Sequence, residues 1–487
     1  MSNGKEVCDA GVMRANGPSV RHKGGFYAAT IIALVALVSV FALAIDTRFL
    51  YMIVYIWFGL IYGLFLQYGR FCMASAVRDL IAVGVPRMAV GVMIAVALYA
   101  LTAAAVTLAG FSTFYAHPLG WHILIGGTIF GFGIIFTGGC ASSSLYKSGE
   151  GNVGSMLVLV SISFSQAFFV ATDWFSDWVP QSWAESAIDK GMPEELAVSS
   201  TWFDQFMAGY IWDLQGATVA ELMGREGTFV GIFVGNALLG AILPTLAILI
   251  LLYVFAFRKG YLRRNKIQNP TLGAELRGVW AMFSSSKNTA LAGLGIGIFA
   301  GLQMWTTGAL REYYQIFNFG ELLEAMGYTT GVSIQGTVFD PGYWYITTQE
   351  AQWGGWVLNM LGVDNMRNIF FGLENGLPNP ILNAPGLMSI GIILGAAMLA
   401  NINREFKWKL PNFETAMFAL IGGALMGIGA RVGMGCNVGA FFAAVTNGDL
   451  TGWIFLFGMA AGGYLGVKVF TRWIEWRASR QGDEFAL

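Results

Sequence analysis

The chain reads as a succession of unbroken apolar runs separated by polar stretches, with runs near 26–45, 49–68, 88–110, 120–137, 153–172, 228–256, 288–303, 385–402, 415–434 and 450–470. Each run approaches the roughly 20 residues that carry an α-helix across a bilayer. None alternates residue by residue as a transmembrane β-strand does. The pattern predicts an all-α integral membrane protein with about ten transmembrane helices.

Basic residues mark cytoplasmic ends of spans. Arg21 and Lys23 precede the first run; Arg258, Lys259, Arg263, Arg264 and Lys266 follow the sixth. Arg404, Lys407 and Lys409 follow the eighth, and Arg472, Arg477 and Arg480 follow the last. Residues 173–226 are instead acidic against only Lys190 and Arg225, and 305–384 are acidic on balance and rich in aromatics. Both stretches read as extracytoplasmic loops on the membrane surface, and both termini as cytoplasmic. The expected organisation is a polar tail (1–25), a first membrane repeat (26–256, with loop 173–226), a linker (257–285), a second repeat (286–472, with loop 305–384) and a C-terminal tail (473–487).

Composition agrees with the membrane reading: 56% of the 487 residues are hydrophobic and 12% charged, where soluble domains carry roughly 25% charged residues. A net charge of −1 gives no hint of a nucleic-acid partner. The first run has the length of a true span, so no cleavable signal peptide is expected. Four cysteines do not suggest a disulfide framework: Cys8 lies in the polar tail, while Cys72, Cys140 and Cys436 lie in or beside apolar segments.

Those three cysteines carry the candidate chemistry. GGTIFGFGIIFTGGC (126–140) aligns without a gap to GGALMGIGARVGMGC (422–436), so that Gly126, Gly127, Gly131, Gly133, Gly139 and Cys140 fall on Gly422, Gly423, Gly427, Gly429, Gly435 and Cys436. A weaker pair joins 59–80 to 293–314; a one-residue slip matches Arg78-Asp79 to Arg311-Glu312 and sets Trp305 opposite Cys72. Under the charge-derived topology the members of each pair run in opposite directions. That is the signature of two inverted-topology repeats around a central pathway.

Each repeat of the first pair ends in glycines, a cysteine and then small polar residues: GGCASSSLYKSGEGN (138–152) and GMGCNVGAFFAAVTNGD (433–449). Non-helical backbone at membrane depth is tolerated only inside protein or along a watery path. These segments are therefore expected to be re-entrant half-helices, with 70–87 and the stretch around Thr306–Arg311 as two more. Taken singly, glycine spacing reads as helix packing and a buried cysteine as a small hydrophobe. The equivalent positions of Cys140 and Cys436 turn the reading toward a path, supported by Gly139, Gly435, Ser142 and Asn437. Arg431, inside an apolar run, either attracts an anion or pairs with a carboxylate. Arg78 and Arg311 read as paired with their acidic neighbours, and Lys147 and Glu150 as lying at the cytoplasmic rim. No metal-site spacing surrounds His117 and His122, and neither a metal nor a cofactor is expected.

GRFCMASAVRDL, GGCASSSLYKSGEGN and GMGCNVGAFFAAVTNGDLTGW resemble the three cysteine motifs of the YeeE/YedE family of sulfur-compound transporters. The resemblance implies a bacterial inner-membrane protein, not an enzyme, that imports thiosulfate or a related sulfur anion past Cys72, Cys140 and Cys436. It also implies a small cytoplasmic sulfur carrier of the TusA type as partner, docking on 70–87 and 138–152. An ordinary thiol is mostly neutral at pH 7 and a weak hydrogen-bond donor, which suits loose binding at successive sites. Other readings are a transporter of a selenium compound, a membrane sulfurtransferase passing persulfide sulfur inward with Arg70 activating Cys72, and a partner-binding subunit using the acidic loops.

Overall fold

Hydrocarbon offers a backbone no hydrogen-bond partners, so each apolar run must satisfy its own N–H and C=O groups by winding into a helix. In the computed structural model, which describes residues 23–111, 114, 116–171, 210–213, 216–315, 327, 346–363 and 383–484, every run does so. The first helices are α1 (Gly24–Ile45), α2 (Leu50–Gly69), the short α3 (Met73–Val83), α4 (Arg87–Leu108), α5 (Trp121–Thr137), the short α6 (Ala141–Gly149) and α7 (Val153–Ala171). They are followed by α8 (Val230–Arg264), the connecting α9 (Leu272–Phe283), α10 (Lys287–Tyr314), α11 (Ile346–Met360) and α12 (Ala384–Ile402). The chain closes with α13 (Phe413–Val432), the short α14 (Asn437–Thr446) and α15 (Thr451–Glu484). Nine described segments are long and apolar enough to cross a membrane, and α7 is a shorter apolar helix beside them. A strand pair, β1 (Leu119–Gly120) with β2 (Ile211–Asp213), ties the start of α5 to the end of the first long loop.

The packing obeys an exchange rule. α2 packs on α12 as α4 packs on α10; α5 packs on α15 as α13 packs on α7; α3 meets α15 as α11 meets α7; α6 meets α12 as α14 meets α4. Swapping α2–α7 for α10–α15 in order leaves this network unchanged, which is what a duplicated unit requires. α8 lies on α4 as α1 lies on α12. The packing thus groups 230–264 with the second half, whereas the hydropathy reading set 228–256 at the end of the first.

Glycine contacts give the relative direction of the halves. A Cβ on Gly126 of α5 would meet the Gly429 carbonyl oxygen of α13 at 2.8 Å, and one on Gly429 would meet that of Gly126 at 2.8 Å. Farther along, Gly133 and Gly422 face each other in the same reciprocal way, also at 2.8 Å. Position 126 therefore opposes 429 while 133 opposes 422, and these equivalent helices run antiparallel. α2 and α10 do likewise: Gly69 abuts Ala292, while the Tyr62 hydroxyl bonds the Phe299 carbonyl at 3.1 Å and Gln303 Oε1 at 2.6 Å. The two halves are inverted copies.

Two expectations change. The stretch around Thr306–Arg311 is not a half-helix: α10 continues unbroken to Tyr314, and the Thr306 and Thr307 hydroxyls satisfy themselves on the Leu302 and Gln303 carbonyls one turn back, at 2.8 and 2.7 Å. Trp305 is 48% exposed on that helix rather than opposed to Cys72. The counterpart of α3 is α11, within the stretch read as a surface loop; its first residues, Ile346, Thr347, Gln349 and Glu350, are all buried. Cys8, all of 173–209, most of 316–345 and all of 364–382 lie outside the described residues.

Candidate substrate pathway

Cys72, Cys140 and Cys436 share one local construction. Each sits in extended conformation immediately before a short helix and acts as its N-cap. Each is preceded by a reversal in left-handed backbone: Arg70 at φ 49°, Gly138 at φ 66°, and Met434 with Gly435 at φ 56° and 155°. A non-glycine residue there is uncommon and costs local strain, so Arg70 and Met434 are held by their surroundings. The reversal ends the preceding helix, and the cysteine then begins a new one whose first N–H groups lack intrahelical acceptors.

The thiols take up part of that donor set. Cys72 Sγ accepts from the Ser75 N–H at 3.4 Å, and Cys436 Sγ accepts from the Val438 N–H at 3.4 Å. Cys140 caps through its backbone: its N–H donates to Ser143 Oγ at 2.8 Å, and that hydroxyl donates to the Cys140 carbonyl at 2.9 Å. Its Sγ completes the capping box toward the Ser143 N–H and lies 3.2 Å from Ser142 Oγ and 3.9 Å from Cys72 Sγ. Cys72 and Cys140 thus lie side by side, and all three cysteines are at most 2% exposed.

The supporting residues have distinct surroundings. Gly139 is needed because a Cβ would collide with Ser143 Oγ and approach Lys147 Nζ at 3.1 Å; at Gly435 one would meet the Ala440 backbone N at 3.0 Å. Arg78 bonds Asp79 at 2.8 Å, as its neighbour suggested, but also donates to the Gly138 carbonyl at 3.2 Å. Lys147, assigned to the rim by its sequence neighbours, donates to the same carbonyl at 3.0 Å. Two cations therefore converge on the reversal before Cys140. Arg431 is fully buried, donates from Nη2 to Thr348 Oγ1 at 3.0 Å, and is within electrostatic reach of Cys436 and Glu350. Asn437 is buried with neither side-chain polar atom bonded among the described residues. Arg311 lies in the last turn of α10, which ends at the left-handed Gln315.

Both half-helices following the repeated motif end in a buried acid that has a partner from the opposite half, Lys409 for Glu150 and His117 for Asp449. Glu150, expected at the rim, is buried; it bonds Arg70 at 2.7 Å and lies 3.6 Å from Lys409. Asp449 accepts from the His117 N–H at 2.8 Å, lies 3.0 Å from His117 Nδ1, and accepts from Thr451 N–H and Oγ1 at 2.9 and 2.7 Å. Arg70 also bonds Glu405 at 2.8 Å. Its charge is held by two carboxylates, which weakens it as an activator of Cys72. Nearly all of 138–152 is buried, leaving Arg70, the 82–85 turn and Arg87 as the accessible part of the surface expected to dock a carrier.

Sequence reasoning missed Thr347, Thr348, Gln349 and Glu350. The signal was present as a run of polar residues, TTQE, but it sits in a stretch too polar to read as a membrane element. Among the described residues no group of histidine, cysteine and acidic side chains has the arrangement of a metal site.

The chain matches the sulphur-transport family twice in succession, over residues 68–219 and 218–465. It is 25% identical to the thiosulfate transporter TsuA of Escherichia coli over 406 residues, covering 83% of this chain and 90% of that protein. It is 26% identical to the thiosulfate transporter TsuA of Spirochaeta thermophila over 407 residues, 81% of this chain and 92% of that one. A shorter match, 31% over 127 residues, covers 26% of this chain and 32% of the probable transporter YedE of Escherichia coli.

Proposed function

This chain belongs to the sulphur-transport family, and on that premise we propose that it imports thiosulfate across a bacterial inner membrane, with both termini cytoplasmic. The observation that carries the reading is the shared construction of Cys72, Cys140 and Cys436, each capping a short helix at a break in the chain. A helix start presents N–H groups and the positive end of a dipole, which favours an anion. Lys147 and Arg78 add positive charge near the Cys72–Cys140 station, and Arg431 adds it near Cys436.

The anion passes from one thiol station to the next, taking S–H and backbone N–H donors in place of water. Thiols hold it weakly, so it can leave each station. The burial of all three cysteines means that the reversals at 138 and 434–435 have to shift for the anion to pass, and their left-handed residues are the natural hinges. A TusA-type carrier then takes up the sulfur compound on the cytoplasmic side, near the exposed 82–85 turn.

Thiosulfate uptake by cells lacking other thiosulfate importers tests this. Cys72→Ala, Cys140→Ala and Cys436→Ala each remove a donor to a charged ligand, worth about 1.5–3 kcal/mol, and each is expected to lower uptake about tenfold or more at equal membrane abundance. Cys8→Ala is expected to leave it unchanged. Uptake untouched by all three core changes would remove the thiols from the path, and absence of uptake in the wild type would remove thiosulfate. Competition by selenosulfate in the same assay measures selectivity for sulfur over selenium.

A further inference from the structure

The second half of the molecule departs from the first at one point that packing symmetry makes conspicuous. α11 occupies the position of α3, yet the acid of α3, Asp79, is bonded to Arg78 at 2.8 Å, whereas that of α11, Glu350, is buried beside Gln349. Glu350 is 0% exposed, and neither carboxylate oxygen has a hydrogen-bond partner among the described residues. Gln349, 1% exposed, likewise has no bonded side-chain atom among them. A buried carboxylate without a donor is a poor structural device, because an ionised group gains nothing from burial unless it is paired and bonded. Inside a membrane such a residue marks an ion or proton route by default.

Among the described residues the ionisable groups around it are few. α11 has no other. Of the elements packed against α11, α7 and α12 carry none, and α6 brings Tyr146 and Lys147. α13 brings Arg431, with Glu414 in its opposite first turn, and leads into the Cys436 thiol. Among the described residues, Arg431 and Cys436 lie within electrostatic reach of Glu350, and Arg431 directs a hydrogen bond to Thr348. The carboxylate and the guanidinium are neighbours without being bonded to each other. When Glu350 is ionised it competes for the charge of Arg431. Once it takes a proton on a carboxylate oxygen, that charge is released to an anion arriving beside Cys436. Anion and proton then load together, and by linkage each raises the affinity for the other.

We propose that Glu350 is a proton-binding site that couples thiosulfate influx to proton influx, the proton boarding with the anion and leaving the carboxylate when Arg431 is vacated inside. The proposal rests on the transport reading above and adds the driving ion.

The full chain in proteoliposomes, with membrane voltage clamped at zero, separates the two. Labelled thiosulfate is given either with unlabelled thiosulfate inside, to read exchange, or with an inward proton gradient of one pH unit, to read accumulation. For one proton per anion the wild type accumulates about tenfold, since one pH unit is about 1.4 kcal/mol. Glu350→Gln, which cannot take up or release the proton, is expected to show no gradient-driven accumulation while exchange persists; Glu350→Asp restores the gradient response. The wild type alone supplies a second readout, independent of how any variant folds: a pH dye inside the vesicles reports acidification when thiosulfate is added outside. Wild-type exchange without acidification or gradient-driven accumulation overturns the coupling and leaves transport standing. Gradient-driven accumulation by Glu350→Gln equal to that of the wild type overturns the assignment to this residue. Absence of thiosulfate exchange in the wild type overturns both.

Discussion

The antiparallel seam between α5 and α13 can be tested through its glycines. The perturbation is a pair of alanines at Gly126 and Gly429, whose Cβ positions each fall 2.8 Å from the other's carbonyl oxygen. A single added methyl in so close a contact overpacks it by about 1–3 kcal/mol, offset by about 1 kcal/mol of helix propensity gained on leaving glycine. The Gly126 methyl also runs into the Gly433 backbone and the Gly429 methyl into that of Phe130, so each single change is expected to cost about 2 kcal/mol or more. In the double variant the helices have already been pushed apart by the first methyl, so the second costs less, with a coupling of about 0.5 kcal/mol or more. The control is Gly126→Ala with Gly422→Ala, the two glycines that lead the repeated motif. Gly422 lies seven residues, about 10.5 Å, from the Gly429 contact, so these changes should add within about 0.5 kcal/mol. Equilibrium unfolding in mixed detergent micelles, followed by tryptophan fluorescence, measures all the variants. Coupling in the 126/422 pair with none in the 126/429 pair would mean parallel helices, and the inverted arrangement would fall.

The 3.9 Å separation of Cys72 and Cys140 predicts that a mild oxidant such as diamide joins them, since a disulfide needs sulfurs about 2 Å apart and a small shift suffices. Uptake should fall on oxidation, return with a reductant, and be insensitive to oxidant in Cys140→Ser; mass spectrometry of the proteolysed protein identifies the bridge, and a Cys436 bridge instead would contradict this geometry. Asp449→Ala leaves the His117 and Thr451 backbone N–H groups and the His117 ring without their buried acceptor, at a cost of about 3–5 kcal/mol. Thermal unfolding should show Asp449→Asn retaining part of that loss, and an unchanged midpoint for both would deny the clamp its role.

How far the sequence spoke depended on whether a feature was local. Continuous apolar runs became helices because bilayer-length hydrophobicity leaves the backbone no other solution. The repeated GGxxxGxG spacing became a seam because a contact at carbonyl distance admits no side chain, so both copies kept the same residues. Cys140 and Cys436 took equivalent positions for that reason. The weaker pairing of 59–80 with 293–314 recognised α2 and α10 correctly through Gly59 and Gly63, but it carried on too far. α10 runs past the level at which α2 stops at Arg70, so counting residues brought Trp305 to Cys72 when the chain had not yet turned. α11 stayed hidden because Thr347, Thr348, Gln349 and Glu350 are polar and its burial comes from long-range packing against α7, to which hydropathy is blind. Glu150 was read as a rim residue for the converse reason: the partners that let it be buried, Arg70 and Lys409, lie 80 and 259 positions away in the chain.

The exchange rule in the helix packing has a consequence for polarity. A scaffold built from two copies facing opposite ways looks alike from either side of the bilayer, so its shape favours neither inward nor outward passage. Any one-way character has to be written where the copies have diverged: two thiols 3.9 Å apart in one, and a thiol, a guanidinium and an unbonded carboxylate in the other. Duplication supplied a reversible frame, and a few substitutions on α11 and α13 were free to give it a front and a back without disturbing a single helix seam.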